Sequence, residues 1–260
     1  KESSAASDVY KRQSHSNARI PDLKSRIYSP LLGYNDISFT ITSKSITGLI
    51  KSKTNQNNNI VQDRKIEMRA FMYNDMKEVS ILNLPQSLMK IKLQMERVLF
   101  QKAKVVRGLA LSLWLKEYYF IQEQAGWFSY QDQTGMNDVG EIKVKFLNKS
   151  LKIIEKKPTG TLKTIYEFNI EKWSDGLLVL NKIRREMYEG IQLVITENVV
   201  GYKKLEGIGH VPHSIEVNTT QRVSYNDKNI VERKLIEKYE FKDFLIDKKI
   251  AETWFKAKNK

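Results

Sequence analysis

Apolar and polar residues alternate with a period of two between positions 140 and 241. Ile142, Val144 and Phe146 alternate with charged neighbours, and the segments 162–170, 191–195 and 215–217 repeat this arrangement. Such a period with one polar side is typical of antiparallel strands whose other side is covered. Residues that favour chain reversal separate the segments: Asn148, Gly160, Asp175, Gly190, Gly207 and Asn226. The pattern predicts an antiparallel meander.

The N-terminal third carries the same alternation in shorter segments. Ile37, Phe39 and Ile41 alternate with Ser and Thr, which predicts a strand over residues 34–50. A polar, Asn-rich loop is predicted for 51–59, and strands for 65–73 and 78–84 on either side of a turn at Asn74 and Asp75. Residues 20–32 are expected to form a short helix or an irregular lead-in.

After Pro85 the spacing of apolar residues changes from two to three and four. Leu88, Ile91, Met95, Val98 and Leu99 follow this spacing, which predicts an amphipathic helix to about residue 106. The apolar run that follows fits either a buried helix or a strand, and we favour a helix because no turn residue follows it. A helical insertion is therefore expected at about 85–124, and a loop or short strand over 126–138.

The order of elements predicts one domain over residues 20–255. Residues 1–19 are expected to be a disordered, non-native leader, because positions 2–13 resemble translated adapter sequence; a native start with an export signal would then be missing. Trp254 and Phe255 are expected to dock on the sheet, and 256–260 to form a frayed basic tail.

Composition narrows the classes of function. The 260 residues carry a formal net charge of +14, mostly from Lys, which favours attraction to anionic membranes or nucleic acid, or simply a solvated basic surface. The absence of Cys excludes disulfides, thiolate metal sites and a Cys nucleophile. The sequence contains no run of 18 apolar residues that could cross a membrane as a helix.

Candidate chemistry is sparse. His210 and His213 flank Pro212, which favours two histidines in a turn over a metal site. The oxygen-rich stretch with Asp132 and Asp138 lacks calcium-loop spacing and is expected to be a polar turn. A nucleophilic serine motif and a phosphate-binding glycine loop are both absent from the sequence. We therefore expect a non-enzyme without metal or cofactor.

Basic and aromatic residues interleave at Lys172, Trp173 and residues 182–185, as they do in sheets that bind nucleic acid. Tyr166 and Phe168, however, share a face with Leu162 and Ile170, which is typical of a sheltered interior. We therefore expect no nucleic-acid partner.

Segments of the C-terminal half resemble the LolA-like outer-membrane lipoprotein carriers and the lipoprotein-sorting superfamily. The similarity lies in residues 173–183, 198–202, 209–217 and 239–255, which resemble the family's later strands and its terminal aromatic motif. The family's Arg-Pro pair is missing, and Arg69 is a loose counterpart of its lid-holding Arg, so the resemblance is to a divergent member.

The resemblance implies an α+β, mostly antiparallel fold: a curved, incomplete β-barrel covered by helices. It also implies non-catalytic binding of lipid or lipoprotein acyl chains in the periplasm, for outer-membrane lipoprotein sorting or lipid transfer. An anionic membrane surface is a further expected partner. The alternative is a structural or interaction module of the cell envelope, with a filled β core and no ligand.

We expect a lipid cavity with a lid on the basis of this resemblance and of the alternation of apolar and polar residues. The lining residues would be Phe39, Ile41, Met68, Phe146, Tyr166 and Phe168. The lid would be formed by Leu88, Ile91, Met95 and Leu99. These side chains could equally form a closed, filled core.

Overall fold

The structure is a computed structural model. It describes residues 27–55, 66–74, 76–84, 86–107, 118–132, 141–147, 150–157, 160–189, 192–226 and 229–258. The predicted leader, residues 1–19, therefore lies outside the described residues.

The described residues form strands and helices with the following bounds. The strands are β1 (Asp36–Ser43), β2 (Glu67–Tyr73), β3 (Met76–Leu82), β4 (Tyr118–Gln124), β5 (Trp127–Asp132), β6 (Glu141–Leu147), β7 (Ser150–Lys157), β8 (Gly160–Ile170), β9 (Leu178–Glu189), β10 (Gln192–Leu205), β11 (Gly209–Asn226) and β12 (Asn229–Ile246). The α-helices are α1 (Lys44–Asn55), α2 (Met89–Ala103) and α3 (Ile250–Lys258). Short 3-10 turns flank α2 at Gln86–Leu88 and Lys104–Arg107.

The strands form a 12-stranded sheet in the order β3-β2-β1-β12-β11-β10-β9-β8-β7-β6-β5-β4. Strands that follow one another in sequence lie side by side, except that β3 and β4 are separated and that β1 pairs with β12. The strand order leaves β3 and β4 at the two edges. The prediction of a mostly antiparallel β fold with helices is confirmed, and the LolA-like barrel stays a prediction.

The chain divides into two compact units, each described separately below. Unit 1 contains residues 1–28, 109–199 and 217–235. Unit 2 contains residues 29–108, 200–216 and 236–260. Strands β10, β11 and β12 contribute residues to both units. The assignment of residues 20–255 to a single domain stays a prediction.

The predicted meander is confirmed from β6 to β12. Asp175 and Gly207 lie between consecutive strands, and Gly160 and Asn226 are terminal residues of β8 and β11. Asn148 and Gly190 lie outside the described residues. Asp175 and Gly176 have φ values of 51° and 80°, and Gly207 has 73°. Asn74, with φ 51°, joins β2 to β3. Gly and, at lower frequency, Asn and Asp adopt this left-handed conformation, which is why these residue types located the turns correctly.

The strand predicted over residues 34–50 was wrong beyond Ser43, because α1 begins at Lys44. Ile46 and Ile50 are four residues apart and are both buried, at 7% and 2% exposure, which is helical spacing. The Ser43 hydroxyl accepts a hydrogen bond from the backbone N–H of Ile46 at 3.5 Å, as a helix N-cap does. The loop predicted over 51–59 is helical to Asn55, and residues 56–59 lie outside the described residues.

The helix predicted over 85–124 is confirmed only in its first half. Tyr118–Gln124 forms strand β4, which pairs with β5 around a turn at Ala125 and Gly126. Aromatic and β-branched residues at the start of this segment favour a strand, and Gly126, with φ 76°, supplies the reversal. Residues 108–117 lie outside the described residues.

The secondary structure at the two ends of the described chain agrees with the prediction at the N-terminal end and differs from it at the C-terminal end. Residues 28–33 form an irregular lead-in with a turn from Ser29 to Leu32, which was one of the two predicted alternatives. Residues 256–258 belong to α3, so the prediction of a frayed tail was wrong there. Lys256 lies one turn from Glu252 and forms an ion pair with it, which stabilises the last turn.

In unit 2, helix α3 packs on one face of strands β1 and β2. The indole ring of Trp254 stacks on Phe71 with ring centroids 4.3 Å apart, which confirms the predicted docking of Trp254. The carboxylate of Asp36 accepts hydrogen bonds from the backbone N–H groups of Ala251 and Glu252, at 3.3 and 2.8 Å. Asp36 therefore caps the N-terminus of a helix that is remote from it in sequence.

Candidate functional site

Three predicted lining residues, Phe39, Ile41 and Met68, lie in unit 2 and are buried, with exposures of 0%, 1% and 5%. They share the sheet face opposite α3, because Phe39 pairs with Ala70 and Ile41 pairs with Met68. The ring of Phe39 contacts those of Phe241 and Phe244 at centroid distances of 5.5 and 5.1 Å. These side chains are surrounded by protein atoms, and their role as a cavity lining stays a prediction.

The predicted lid residues also belong to unit 2. Met95 and Leu99 are buried on the inward side of α2, Leu88 is buried in the 3-10 turn before it, and Ile91 is half-buried. The ammonium of Lys102 lies 5.7 Å from the ring centroid of Tyr239, which pairs with Ser43 on the face that carries Ile41. The predicted helix is therefore present and packed on the sheet, while its function as a lid stays a prediction.

Helix α2 also closes an edge of the sheet. The Glu96 carboxylate accepts a hydrogen bond from the backbone N–H of Ile81 in edge strand β3, at 2.8 Å. Lys92 lies one turn before Glu96, and its ammonium is 3.6 Å from the same carboxylate. An edge strand presents unpaired N–H groups, and here a helix side chain satisfies one of them.

The other predicted lining residues, Phe146, Tyr166 and Phe168, belong to strands of unit 1. The backbone of Phe146 pairs with Leu151, Leu151 pairs with Tyr166, and Tyr166 pairs with Ile183. Directly paired residues project to the same side of a sheet, so Leu151, Tyr166 and Ile183 lie on one face, which we call the apolar face of unit 1. Phe168 is buried beyond a bulge on the same strand, and the side chain of Phe146 lies outside the described part.

The apolar face has a packed region, where β5, β6 and β7 meet. Its members are all buried: Tyr130, Ile142, Val144, Leu151 and Ile153. Burial raises the pKa of Tyr130 to about 12, because the charged phenolate would lose its hydration there. This region is a filled core.

On strands β8, β9 and β10 the same face is covered less completely. We call this the half-buried region, and its members are Leu162, Tyr166, Arg185, Met187, Val194 and Thr196. Leu162 pairs with Met187, and Met187 pairs with Val194, so three apolar side chains form a row across the strands. The alternation predicted this face on β8, but on β10 it was wrong, because Leu193 and Ile195 pair with Tyr188 and Glu186 on the opposite face. It also gave no sign that the cover of the face changes along the sheet.

Arg185 lies within the half-buried region, and sequence reasoning missed it. It pairs with Thr164 on β8 and with Thr196 on β10. Tyr166 is its diagonal neighbour on the same face, because Tyr166 pairs with Ile183, two residues from Arg185. Burial raises the pKa of Tyr166, the charge and hydrogen bond of Arg185 oppose that rise, and the charge of Glu155 adds to it. Arg185 stands at an even spacing from Ile183 and Met187, and this signal could have placed it on the apolar face.

The opposite face of unit 1 carries ion pairs among apolar residues such as Leu193 and Ile195. Glu186 is buried and accepts hydrogen bonds from Lys163 at 2.7 Å and from Arg184 at 2.8 Å. Burial by itself would raise the pKa of Glu186, but the hydrogen bonds and charges of Lys163 and Arg184 outweigh it and lower that pKa overall. Arg184 also contacts Glu197, at 3.4 Å. Consecutive arginines therefore occupy opposite faces with different partners.

The candidate nucleic-acid and metal residues are placed as follows. Trp173 packs edge-to-face on Tyr28 at a centroid distance of 5.1 Å. His210 and His213 both lie in β11, so the turn predicted around Pro212 was wrong; three residues apart in a strand, they point to opposite faces. Among the described residues, no His, Cys, Asp and Glu side chains gather in a group that could hold a metal ion. Residues 133–138 of the oxygen-rich stretch lie outside the described part.

Helices α1 and α2 of unit 2 carry exposed basic residues together with exposed apolar ones. Lys44, Lys51, Lys53, Lys90 and Arg97 are exposed. Leu49, Met89, Leu93 and Val98 expose between 41% and 58% of their surface. Within the described part of the chain, no helix is both long enough and apolar enough to cross a bilayer.

Comparison with known proteins gives no relative. No protein-family model, no curated protein and no solved structure shows a significant match to the chain.

Proposed function

We propose that this protein binds the acyl chain of a lipid or lipoprotein, without catalysis, and serves outer-membrane lipoprotein sorting or lipid transfer in the periplasm. The observation that carries the proposal is the half-buried region of the apolar face of unit 1. There Leu162, Met187 and Val194 form an apolar row that the protein covers only in part. An acyl chain along this row would remove the remaining apolar surface from water.

The energetics of such a contact are favourable. Each methylene group that leaves water contributes about 0.8 kcal/mol, so the gain grows with the number of methylene groups that the apolar row covers. Among the residues expected from sequence, Tyr166 lies in the half-buried region and Phe168 is buried on the same strand. In this proposal Phe39, Ile41 and Met68 stabilise the sheet of unit 2 and leave ligand contact to unit 1.

A membrane is the natural source of such a ligand, and helices α1 and α2 offer a surface suited to it. Exposed cations attract anionic headgroups at about 1 kcal/mol each, and exposed Leu and Met side chains can enter the interfacial region. Lys51, Arg97 and Leu93 are examples from the two helices. We therefore include an anionic membrane surface as a partner in the proposal.

Native mass spectrometry of protein purified without detergent tests the acyl-chain proposal. We expect adducts with the mass of an acyl lipid, which disappear on solvent extraction and return when lipid is added. Met187→Glu places a charge in the apolar row and should abolish the adduct. Tyr188→Glu, one residue away on the opposite face and half exposed, is the matched control. Wild-type protein that carries and accepts no lipid would contradict the proposal.

The second candidate is a structural or interaction module of the cell envelope with a filled β core and no ligand. The complete burial of Phe39, Leu151 and Ile153 favours it. The same experiment separates the two candidates. If the protein is a module without a ligand, wild type, Met187→Glu and Tyr188→Glu should each show only the mass of the bare polypeptide after lipid addition.

A further inference from the structure

Arg185 is a cation on a sheet face that is otherwise mainly apolar. Its neighbours along β9 on this face are Ile183 and Met187, and the residues directly opposite are Thr164 and Thr196. The side chain is half-buried, so its guanidinium is partly removed from water. A cation in that position costs free energy unless hydrogen bonds and an opposite charge compensate it.

The compensation that the described neighbours supply is incomplete. A guanidinium has five N–H donors, and Tyr166 brings one hydroxyl from the diagonal position on β8. Both residues directly opposite Arg185 are threonines, which bring hydroxyls but no charge. Glu155 lies on the same face opposite Leu162, and its charge acts on Tyr166.

Arg184 shows what full compensation looks like in this protein. On the opposite face its guanidinium reaches Glu186 at 2.8 Å and Glu197 at 3.4 Å. The two arginines are adjacent in sequence and have the same chemistry. The difference is that Arg184 forms ion pairs with two carboxylates, whereas the residues directly opposite Arg185 are threonines and the carboxylate of Glu155 on its face lies opposite Leu162.

We propose that Arg185, together with the hydroxyl of Tyr166, binds the anionic group of an amphiphile whose acyl chain lies along Leu162, Met187 and Val194. The anionic group is a carboxylate or a phosphate, because both match the planar fork of a guanidinium with two parallel hydrogen bonds. This inference rests on the proposed function and names the class of ligand: a singly acylated or diacylated lipid with an acidic head.

The test compares ligands of equal chain length that differ only in the head. Purified, delipidated protein is titrated with palmitate, palmitoyl lysophosphatidic acid and the uncharged hexadecanol, with displacement of a fluorescent fatty alcohol as the readout. Wild type should prefer at least one acidic ligand over the alcohol by about tenfold or more, the usual gain from hydrogen bonds to charged groups. The stronger of the two acidic ligands identifies the head as carboxylate or phosphate.

Variants test whether Arg185 causes the preference for acidic ligands. Arg185→Gln should lose the preference while hexadecanol affinity stays within about threefold, and Arg184→Gln, the matched control, should keep it. Arg185→Lys retains the charge without the fork and should keep only part of the preference. Tyr166→Phe removes one hydroxyl and should weaken the preference for acidic ligands without changing the affinity for hexadecanol. This variant gives a second measurement if Arg185→Gln fails to fold.

The outcomes separate this inference from the proposed function. Hexadecanol and acidic ligands bound equally by wild type, or a preference unchanged in Arg185→Gln, Arg185→Lys and Tyr166→Phe, would overturn the role of Arg185 and leave acyl binding standing. Wild type that binds none of the three ligands would overturn both. Lower thermal stability of Arg185→Gln with an unchanged preference would identify an internal pairing with Glu155 instead.

Discussion

The two units use the same alternation of apolar and polar residues but cover the apolar residues differently. In unit 2, β1 and β2 carry α3 on one face and the fully buried Phe39 and Ile41 on the other. Helices α1, α2 and α3 all belong to unit 2. In unit 1, the packed region is followed by a half-buried one that contains Arg185. The comparison teaches that period-two patterning marks one apolar side of a strand. It does not assign that side to a face of the sheet, as Leu193 and Ile195 show, and it does not say how completely the face is covered.

The largest effect that tests this comparison concerns core packing. Phe39→Ala in unit 2 should reduce the free energy of unfolding by about 3–5 kcal/mol, because a fully buried ring is replaced by a cavity. Leu162→Ala in the half-buried region of unit 1 should cost roughly 1 kcal/mol, since part of that side chain already faces solvent. Urea unfolding followed by tryptophan fluorescence and by circular dichroism measures both. Equal costs at the two positions would remove the distinction between the regions.

The second prediction contrasts the cations of the two units. Lys51→Gln combined with Arg97→Gln removes two exposed charges from α1 and α2 and should weaken binding to phosphatidylserine vesicles by about 2 kcal/mol, roughly thirtyfold. Lys182→Gln in unit 1 should have little effect, because Lys182 pairs with Glu167 and Glu197. Vesicle flotation measures this. Binding should also fall at high salt, and flotation that is the same at low and high salt would count against the membrane partner.

The third prediction concerns the cap that joins the two ends of unit 2. Asp36→Ala removes the acceptor for the backbone N–H groups of Ala251 and Glu252 and should cost about 1–2 kcal/mol. Hydrogen exchange should speed up in α3, and the fluorescence of Trp254 should change as its stack on Phe71 loosens. Amides of β7 and β8 in unit 1 serve as the internal control. Faster exchange there to the same extent would mean that the cap stabilises more than its own unit.

Local signals made much of the fold predictable. Turn residues such as Asp175 and Gly207 located the reversals, and the change of period after Pro85 located α2. The strand-to-helix boundary at Ser43 was missed because the segment stays rich in Thr and Ile, which are typical of strands, although the alternation of Ile37, Phe39 and Ile41 ends there. The β4 segment was missed because a short apolar run carries no period of its own.

The candidate site depended on information that a single strand does not contain. The role of Asp36 as a cap requires α3, and no local pattern links residues so far apart. The sheet face on which Arg185 lies follows from its even spacing from Ile183 and Met187 along β9. Its cross-strand neighbours follow from the register of β9 with β8 and β10. Register is set by all the turns together, so a cation on the apolar face could be located from sequence and its partners could not.

The hydrogen bond from Ile81 to Glu96 has a consequence for how copies of this protein meet. An exposed edge strand can pair with the edge strand of another molecule and start a fibril. The Glu96 carboxylate occupies one backbone donor of β3 that a strand of a second molecule would otherwise use. Helix α2 therefore makes this edge a poorer template for intermolecular strand pairing.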